Sequence, residues 1–502
     1  MTNNNDGDKD KLMERKRIGT DAVVLTVAQT ITTLIGLVSS MLLSRFRTLE
    51  EYGTYSQILL VITPTVTLFM LGLPNSTNFF LGRSESHEER RRFLSVYYTL
   101  NTCLCFLIGF VLSAAAPLIA KYFKNEHILD FIYILAVLPW TKVIISSISN
   151  VLVIYGKTNK LTLFNAVNAM VAVIAILIVK LFDWSFQIYM LLYLCGESVM
   201  MIWVYIIVFG LETPIRPIFD GQIIKAILKF SIPIGLATLV GTLTLECDKL
   251  VIGKLMDTET LAIYTNAARE LPFTIIASSL TAVLLPQLAK RLKENRTKEA
   301  IELWKITVEL SYIIMAFFVT MLIVYAPQVM TILYSEKYIP GVAVFRVYSA
   351  VLLLRVTYFG MILNASGRTK FILYSSIITL FVNIVLDILL YRIMGILGPA
   401  VATFLSIFTA QLAQLLSTSR LLRTPFKDIF PWGRLLLHSG INVLWGGVAF
   451  ILLRVFNVGI AGKEIIYCIL SGIPVVVIYL IIEKRNVLRL WRMLNTSDQP
   501  SD

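Results

Sequence analysis

Basic side chains stand inside long apolar stretches of this 502-residue chain. An ionised side chain at the centre of a lipid bilayer costs about 2.5–3.5 kcal/mol on insertion scales, so each one calls for a reason. Lys142 and Arg355 lie about 14 and about 13 residues into their stretches, roughly 20 Å at the rise of an α-helix, which predicts both near mid-membrane. Cations at that depth would bind an anionic group in a low-dielectric site. The alternative is a buried ion pair with Glu197 or Asp387 that only fixes helix packing.

Two further arginines are predicted closer to one end of their stretches. Arg269 lies about two helical turns from that end and has polar neighbours, which favours a place along a hydrated cavity. Arg346 lies about one turn from the same end, where its guanidinium could simply extend to the membrane surface. We therefore expect Arg269 to line a cavity and leave both roles open for Arg346.

Acidic residues in the apolar stretches are candidates for binding and releasing H⁺ or Na⁺. A buried carboxylate holds a proton more tightly than an exposed one and can exchange it as solvent access changes. The candidates are Glu197, Glu246, Asp248 and Asp387. The alternative is that Glu246 or Asp248 pairs with Lys249 or Arg269. Glu246 and Asp248 are two residues apart and face different sides of a helix, so no metal site is predicted.

The composition places these residues in a membrane protein. Residues of the set AVILMFWYC make up 57% of the chain, charged residues make up 15%, and the mean hydropathy is +0.75. Soluble domains average about 45–50% apolar and about 25% charged residues. Windows of about 19 residues predict about 14 helical spans, because the apolar runs are uninterrupted and unlike the short alternating strands of an outer-membrane barrel. The spans are 20–44, 53–82, 94–120, 128–154, 161–182, 186–209, 224–254, 261–289, 306–334, 342–365, 371–392, 396–418, 435–457 and 464–483.

The net charge of +13 comes from basic residues in the short segments between the spans. Most of them fall on one face, which includes the basic groups within 9–17 and 484–492. Cytoplasmic loops carry such an excess, so both termini are predicted in the cytoplasm and the chain in the cytoplasmic (inner) membrane. This distribution predicts no nucleic-acid partner. The five cysteines lie in or near apolar stretches and are interpreted as small apolar residues without disulfides.

An internal repeat predicts the architecture. Residues 42–55 read LLSRFRTLEEYGTY and residues 251–264 read VIGKLMDTETLAIY, each the end of one span, a short turn and the start of the next. A repeat after six spans predicts two six-helix lobes of like orientation, in an all-α polytopic membrane protein with two extra C-terminal helices. The predicted segments are an N-terminal tail 1–19, an N-lobe 20–209, a linker 210–223, a C-lobe 224–418, helices 13 and 14 at 435–483, and a C-terminal tail 484–502.

The first copy of the repeated turn, LSRFRTLEEYGTYS at residues 43–56, is one of several recognisable features. The others are the sequence DKLVIG from Asp248 to Gly253, the prolines Pro272 and Pro286, and the turn NASGRTK from Asn364 to Lys370. Over residues 18–418 the chain resembles the polysaccharide flippases, the Wzx-like branch of the multidrug/oligosaccharidyl-lipid/polysaccharide exporter superfamily.

That resemblance implies transfer of a polyprenyl-pyrophosphate-linked oligosaccharide from the inner to the outer leaflet by alternating access, for cell-surface polysaccharide synthesis. It implies no enzyme activity and no cofactor. The partners would be the lipid-linked glycan and membrane lipid, with a polysaccharide polymerase and glycosyltransferases as further candidates, and the chain would work as a monomer. Lys142 and Arg355, from equivalent places in the two lobes, would meet the pyrophosphate. Polar and aromatic groups suited to sugars are Tyr55, Gln57, Tyr264 and Asn266.

Two other functions stay open. A multidrug-type cation antiporter of the same superfamily would need an acidic cavity, whereas the deep residues here include Lys142, Arg269 and Arg355. A membrane enzyme that modifies glycans would need reactive groups at an accessible face. The three histidines are scattered, no nucleophile and base stand together, and the external loops are short.

Overall fold

The structure is a computed structural model that describes residues 26, 29–269, 271, 274–356, 359–456 and 464–496. Within these ranges the chain is almost entirely helical and has no strand, as the apolar runs predict. Short 3₁₀ segments lie at Leu81–Arg83, Glu126–Phe131 and Glu336–Gly341. The α-helices are α1 (29–46), α2 (Leu49–Met70), α3 (Leu73–Phe80), α4 (His87–Phe123), α5 (Ile132–Ile154), α6 (Thr158–Leu181), α7 (Phe186–Phe209), α8 (Gly221–Leu255), α9 (Thr258–Ala267), α10 (Thr274–Lys293), α11 (Thr297–Val324), α12 (Ala326–Leu333), α13 (Val342–Val356), α14 (Met361–Ala365), α15 (Thr369–Met394), α16 (Leu397–Leu422), α17 (Phe426–Ile429), α18 (Trp432–Phe456) and α19 (Glu464–Thr496).

Within the described ranges, 11 segments are long and apolar enough to cross a membrane. They correspond to predicted spans 2 to 7 and 9 to 13. Predicted spans 1 and 8 extend into residues outside those ranges, and span 14 forms the first part of α19. The prediction of an all-helical, multi-pass membrane protein is confirmed.

The second predicted span is broken in the structure. α2 begins after Thr48, whose hydroxyl accepts the amide of Glu51 at 3.1 Å while the Glu51 carboxylate accepts the amide of Thr48. The helix ends at Leu71 and Gly72, both with positive φ, and α3 follows directly. A Cβ on Gly72 would lie 2.6 Å from the carbonyl oxygen of Ser231 in α8. Glycine is therefore required twice at this break, by its backbone angle and by the close approach of α8.

Two other predicted spans are also interrupted, near prolines of the sequence. The eighth, predicted as 261–289, consists of α9 and α10, and α9 ends at Ala267. The sequence has a proline at 272, a residue without the amide hydrogen that a helix interior uses. The ninth, predicted as 306–334, consists of α11 and α12, and α12 carries Pro327 in its first turn, where the missing amide is tolerated. Hydropathy locates these spans but not the breaks inside them.

The chain divides into two compact units. Unit 1 consists of Met1–Leu243 with Asp257–Glu259, and unit 2 consists of Thr244–Met256 with Thr260–Asp502. The division falls inside α8, downstream of the predicted linker 210–223. The predicted lobe and tail limits stay predictions.

The core of unit 1 is formed by helices from α3 through α8. Large apolar side chains of these helices, such as Phe93, Tyr97, Ile148 and Val204, are buried together there. The segment between α7 and α8 is tied to α4, because Asp220 forms an ion pair with Arg92. The Asp220 carboxylate also accepts the amide of Ile223 at 3.2 Å and so caps α8.

This cap has an electrostatic consequence at a position outside the spans. The amide of Ile223, and then the guanidinium of Arg92, hold the pKa of the Asp220 carboxyl below its ordinary value. The carboxylate form is therefore the one that the folded chain favours.

In unit 2 the two C-terminal helices pack on α11. The ring of Tyr479 in α19 stacks on Phe317 with centroids 3.8 Å apart. Arg434 in α18 lies 2.7 Å from the buried carboxylate of Glu309 in α11. A buried carboxylate needs such a partner, so this pair fixes α18 on α11. α19 continues to Thr496, and the predicted tail 484–502 is helical up to that residue.

Candidate functional site

Lys142 of unit 1 is paired with a carboxylate. Its Nζ lies 2.8 Å from Oε1 of Glu197 and donates a second hydrogen bond, of 2.9 Å, to the hydroxyl of Tyr193. Lys142 comes from α5 and the other two residues from α7, one helical turn apart. The Lys142 side chain is 35% exposed, whereas that of Glu197 is only 4% exposed. The pairing with Glu197 that the sequence leaves as an alternative is present, and about a third of the Lys142 side chain remains exposed within it.

Tyrosines surround this pair. Tyr189, Tyr193 and Glu197 are spaced four residues apart and share one face of α7. The rings of Tyr189 and Tyr193 stack with centroids 6.2 Å apart, and Tyr55 of α2 meets them edge-on at 6.4 and 6.5 Å. The Lys142 amine lies 5.3 Å from the centroid of Tyr193. Tyr55, predicted to pack on sugars, is therefore half-buried beside the predicted mid-membrane cation.

Gln57 lies in a different environment from Tyr55. Its side chain is fully buried and accepts a hydrogen bond of 2.7 Å from the amide of Asn125. It also donates one of 3.2 Å to the hydroxyl of Thr258. These bonds join the start of α2, the end of α4 and the start of α9 within unit 1, and they occupy the amide groups that sugar binding would use.

Asp248 of unit 2 is buried between two tyrosines. Its Oδ2 accepts a hydrogen bond of 2.7 Å from the hydroxyl of Tyr264 and another from the hydroxyl of Tyr348. The two rings meet edge-on with centroids 6.3 Å apart. Tyr264 is therefore fully buried as a partner of the carboxylate.

Asp387 lies in a second buried polar group of unit 2. Its Oδ1 accepts a hydrogen bond of 3.0 Å from the amide of Asn383, one turn earlier in α15. Cys247 of α8 donates from Sγ to Asn383 at 2.9 Å and lies 3.6 Å from Oδ2 of Asp387. All three side chains are buried. The interpretation of Cys247 as a merely apolar residue is therefore wrong, because its thiol joins a polar network.

The remaining acidic candidate, Glu246, is paired within its own helix. Its Oε2 lies 2.8 Å from Nζ of Lys249. This is one of the alternative pairings that the sequence leaves open. Within the described ranges neither Asp248 nor Asp387 has a basic side chain within ion-pair distance. Glu197 and Glu246 therefore have basic partners, whereas Asp248 and Asp387 have neutral ones.

The three predicted arginines occupy different settings in unit 2. Arg269 follows α9, where its amide donates to the carbonyl of Asn266 at 3.3 Å, and Asn266 itself is buried. Arg346 is exposed, and its Nε donates to the carbonyl of Ile323 near the end of α11 at 3.1 Å. Arg355 is half-buried in the last turn of α13. Lys142 and Arg355 belong to different units, so their action as one anion site stays a prediction.

Sequence reasoning missed four residues that complete these groups, namely Tyr193, Tyr348, Asn383 and Cys247. A signal exists for three of them. Tyr193 stands four residues before Glu197 on one face of α7. Asn383 stands four residues before Asp387 in an apolar span, the spacing that places two side chains on one helix face, and Cys247 directly precedes Asp248. No comparable spacing marks Tyr348, which reaches Asp248 from another helix.

Comparison with known proteins adds a family and a fold. The model of a polysaccharide biosynthesis protein family matches residues 42–343. None of the curated proteins matches the sequence. Among solved structures, the lipid II flippase MurJ in an inward closed conformation is similar with a TM-score of 0.73 at 17% identity, over 93% of this chain and 100% of that one.

Two transporters share the fold as well. An inward-facing multidrug resistance MATE family transporter of the MOP superfamily has a TM-score of 0.62 at 16% identity, over 80% of this chain and 99% of that one. A MOP superfamily transporter from Pyrococcus furiosus, whose binding pocket is described as reversed in polarity, has a TM-score of 0.55 at 14% identity, over 81% and 96%. At these identities the likeness establishes the architecture.

Proposed function

The chain belongs to the polysaccharide biosynthesis protein family, and from that premise we propose that it is a lipid-linked oligosaccharide flippase. It moves a polyprenyl-pyrophosphate-linked oligosaccharide from the inner to the outer leaflet of the cytoplasmic membrane by alternating access. The product serves the synthesis of a cell-surface polysaccharide. Both termini lie in the cytoplasm in this proposal, and no chemical bond of the substrate is made or broken.

The observation that carries this proposal is the setting of Lys142. An amine in the middle of an apolar span keeps about a third of its side chain accessible, although it already has a carboxylate partner. Packing alone does not require the cation to keep exposed surface once that carboxylate partner is in place. An accessible cation in a low-dielectric setting instead favours an anionic ligand, and the pyrophosphate is the anionic part of the substrate.

In the proposed mechanism Lys142 holds the pyrophosphate during its passage. Tyr55 offers a ring face to the first sugars, and its ring packs edge-on against Tyr193, which accepts a hydrogen bond from the same amine. Arg355, Arg269 and Arg346 of unit 2 are the further predicted contacts of the anionic headgroup. The polyprenyl tail stays in lipid, since its burial in a polar cavity would forfeit its apolar contacts.

The proposal extends to ion coupling. Glu197 and Glu246 have basic partners at 2.8 Å, whereas Asp248 and Asp387 accept hydrogen bonds from neutral groups only within the described ranges. A buried carboxylate with neutral partners is costly in its charged form until it takes a proton or a metal cation. We therefore assign the exchange of H⁺ or Na⁺ to Asp248 and Asp387.

Depletion of the protein in its own cells tests the function. The proposal predicts that lipid-linked oligosaccharide accumulates in the cytoplasmic leaflet and that surface polymer falls. Unchanged pools of both would remove it. Efflux of a lipophilic cationic dye, measured in the same cells, separates the flippase from a multidrug-type antiporter, for which depletion would lower the efflux and leave the lipid pools unchanged.

A further inference from the structure

The carboxylate of Glu197 depends on a single cation. One oxygen, Oε1, lies 2.8 Å from the Lys142 amine. The other, Oε2, is buried and has no hydrogen-bond partner among the described residues. The hydroxyl of Tyr189, on the same face of α7, is also buried and has no hydrogen-bond partner among the described residues. Among the described residues, the charge of Glu197 is therefore compensated by one amine, on a lysine side chain that is 35% exposed.

Within the described helices that pack on α7, no second cation faces Glu197. α7 packs against α5 and α6, and it meets α2 through Tyr55. On α5 the basic side chain is Lys142, and α6 has no titratable residue between Lys160 and Lys180. On α7 itself the titratable neighbours are Tyr189 and Tyr193, which carry no positive charge. If Lys142 turns to another anion, none of these side chains can replace it.

A buried carboxylate that loses its cation is unstable in the ionised form, and the least costly response is to bind a proton. We infer that anion binding at Lys142 and proton binding at Glu197 are a single coupled step. The anion displaces Glu197 from the amine, and Glu197 takes one proton from water. When the anion leaves, Glu197 releases that proton and pairs with Lys142 again. This inference rests on the proposed function, because the anion is the pyrophosphate of the substrate.

The coupled proton limits the negative charge that the bound ligand adds to the site. Before binding, the amine and the carboxylate sum to zero. After binding, the protonated amine, the neutral carboxyl and the dianionic ligand sum to one negative charge, whereas without the proton they would sum to two. A dianionic headgroup would thus cross the low-dielectric region with part of its charge neutralised by a proton, which lowers the electrostatic cost of its passage.

Isothermal titration calorimetry of the full-length protein in lipid nanodiscs tests this step. The probe is the diester of pyrophosphate with one methyl group on each phosphate, whose own charge is constant near neutral pH. Titrations in two buffers of different ionisation enthalpy report the protons taken up per bound probe. For the wild-type chain we expect about one proton, and an affinity that falls about tenfold for each unit by which the pH is raised, because one proton binds together with the probe.

The variants separate the coupling from binding alone. Glu197→Gln should bind the probe without proton uptake and with an affinity that no longer depends on pH. Lys142→Gln should not bind it. Glu309→Gln is the matched control, since Glu309 is an equally buried carboxylate facing a basic side chain at 2.7 Å, and it should behave as the wild type.

Binding without proton uptake by the wild type, uptake that persists in Glu197→Gln, or no binding of the probe would each overturn the inference. Flipping of the lipid-linked substrate by the same preparation is measured in parallel. Flipping that is intact while binding proceeds without proton uptake would leave the proposed function in place and remove only the coupling. Absence of flipping by the wild type would remove the proposed function.

Discussion

Each unit of the molecule buries a carboxylate among its spanning helices, and the two units surround it differently. In unit 1, Glu197 faces the amine of Lys142. In unit 2, Asp387 faces the amide of Asn383 and the thiol of Cys247. A carboxylate with a cation can stay ionised, and it changes state only when that cation is taken away. A carboxylate with neutral partners is already unbalanced and is ready to take a proton or a metal cation.

The difference suggests a division of labour in which unit 1 responds to the anionic substrate and unit 2 responds to the driving ion. Asp248 supports the contrast, because its partners in unit 2 are the hydroxyls of Tyr264 and Tyr348. The variants below are ordered from the largest expected effect to the smallest, and each is designed to sharpen or abolish this contrast.

Lys142→Ala should have the largest effect. Breaking a fully buried pair costs about 3–5 kcal/mol, and we expect a smaller loss here because 35% of the Lys142 side chain is already exposed. The thermal midpoint of the purified protein should fall. Flipping in proteoliposomes should fall roughly 10- to 100-fold, as expected for a charge-assisted contact worth about 1.5–3 kcal/mol. The double variant with Glu197→Gln should regain the midpoint but not the flipping, and normal flipping by the double variant would contradict the role of the amine.

Asp387→Asn should affect coupling more than folding. The amide that replaces the carboxylate can still accept the hydrogen bond from Asn383, so the midpoint should be retained or raised. Flipping should lose most of its response to an imposed H⁺ or Na⁺ gradient, about tenfold if one ion is coupled at a gradient of one log unit. The measurement is the initial flipping rate with and without each gradient. A full response to the gradient in this variant would show that unit 2 does not carry the driving ion through Asp387.

Tyr264→Phe and Tyr189→Phe compare a partnered with an unpartnered hydroxyl in the two units. Both rings are almost completely buried. Loss of the Tyr264 hydroxyl leaves Asp248 with one phenol donor fewer, which should cost about 1–3 kcal/mol of unfolding free energy. Loss of the Tyr189 hydroxyl, which has no partner among the described residues, should leave the stability unchanged or raise it. Denaturant unfolding checks both, and equal losses would argue against the hydrogen-bond pattern.

Asp220→Asn should have the smallest effect and gives a reference for a charge outside the spans. Asparagine can still cap α8, so only the benefit of the charge is lost. Because the pKa of Asp220 is lowered in the folded chain, its charge stabilises the fold above the ordinary carboxyl pKa of about 4. That contribution disappears as the pH falls through the folded pKa. The wild-type midpoint should therefore drop more steeply than that of the variant on acidification, and parallel curves would contradict the assignment.

Much of the fold could be predicted from sequence because lipid imposes one strong requirement, a run of apolar residues long enough to cross it. The breaks inside the spans could not be predicted in this way. Gly72 ends α2 with a positive φ at a point where α8 also leaves no room for a side chain, and that contact joins residues far apart in the chain. Hydropathy sums over a window and is insensitive to such a contact.

The candidate site was predictable in its charges but not in its pairings. The place of Lys142 and Glu197 within apolar spans follows from the sequence, whereas their pairing is one of two alternatives that only the packing of α5 on α7 decides. Gln57 shows the opposite case. Its polarity in a span suggested sugar binding, whereas its amide is occupied by Asn125 and Thr258. Polar groups within spans serve helix packing as often as ligands, and sequence alone does not tell the two apart.

The most direct test of the account is the flipping of a polyprenyl-pyrophosphate-linked oligosaccharide by the purified chain in proteoliposomes, with Lys142→Ala measured alongside. The account predicts that the wild-type protein exposes the glycan to an enzyme added outside and that the variant does so at least tenfold more slowly. Equal rates for the two proteins, or no flipping by the wild type, would contradict it.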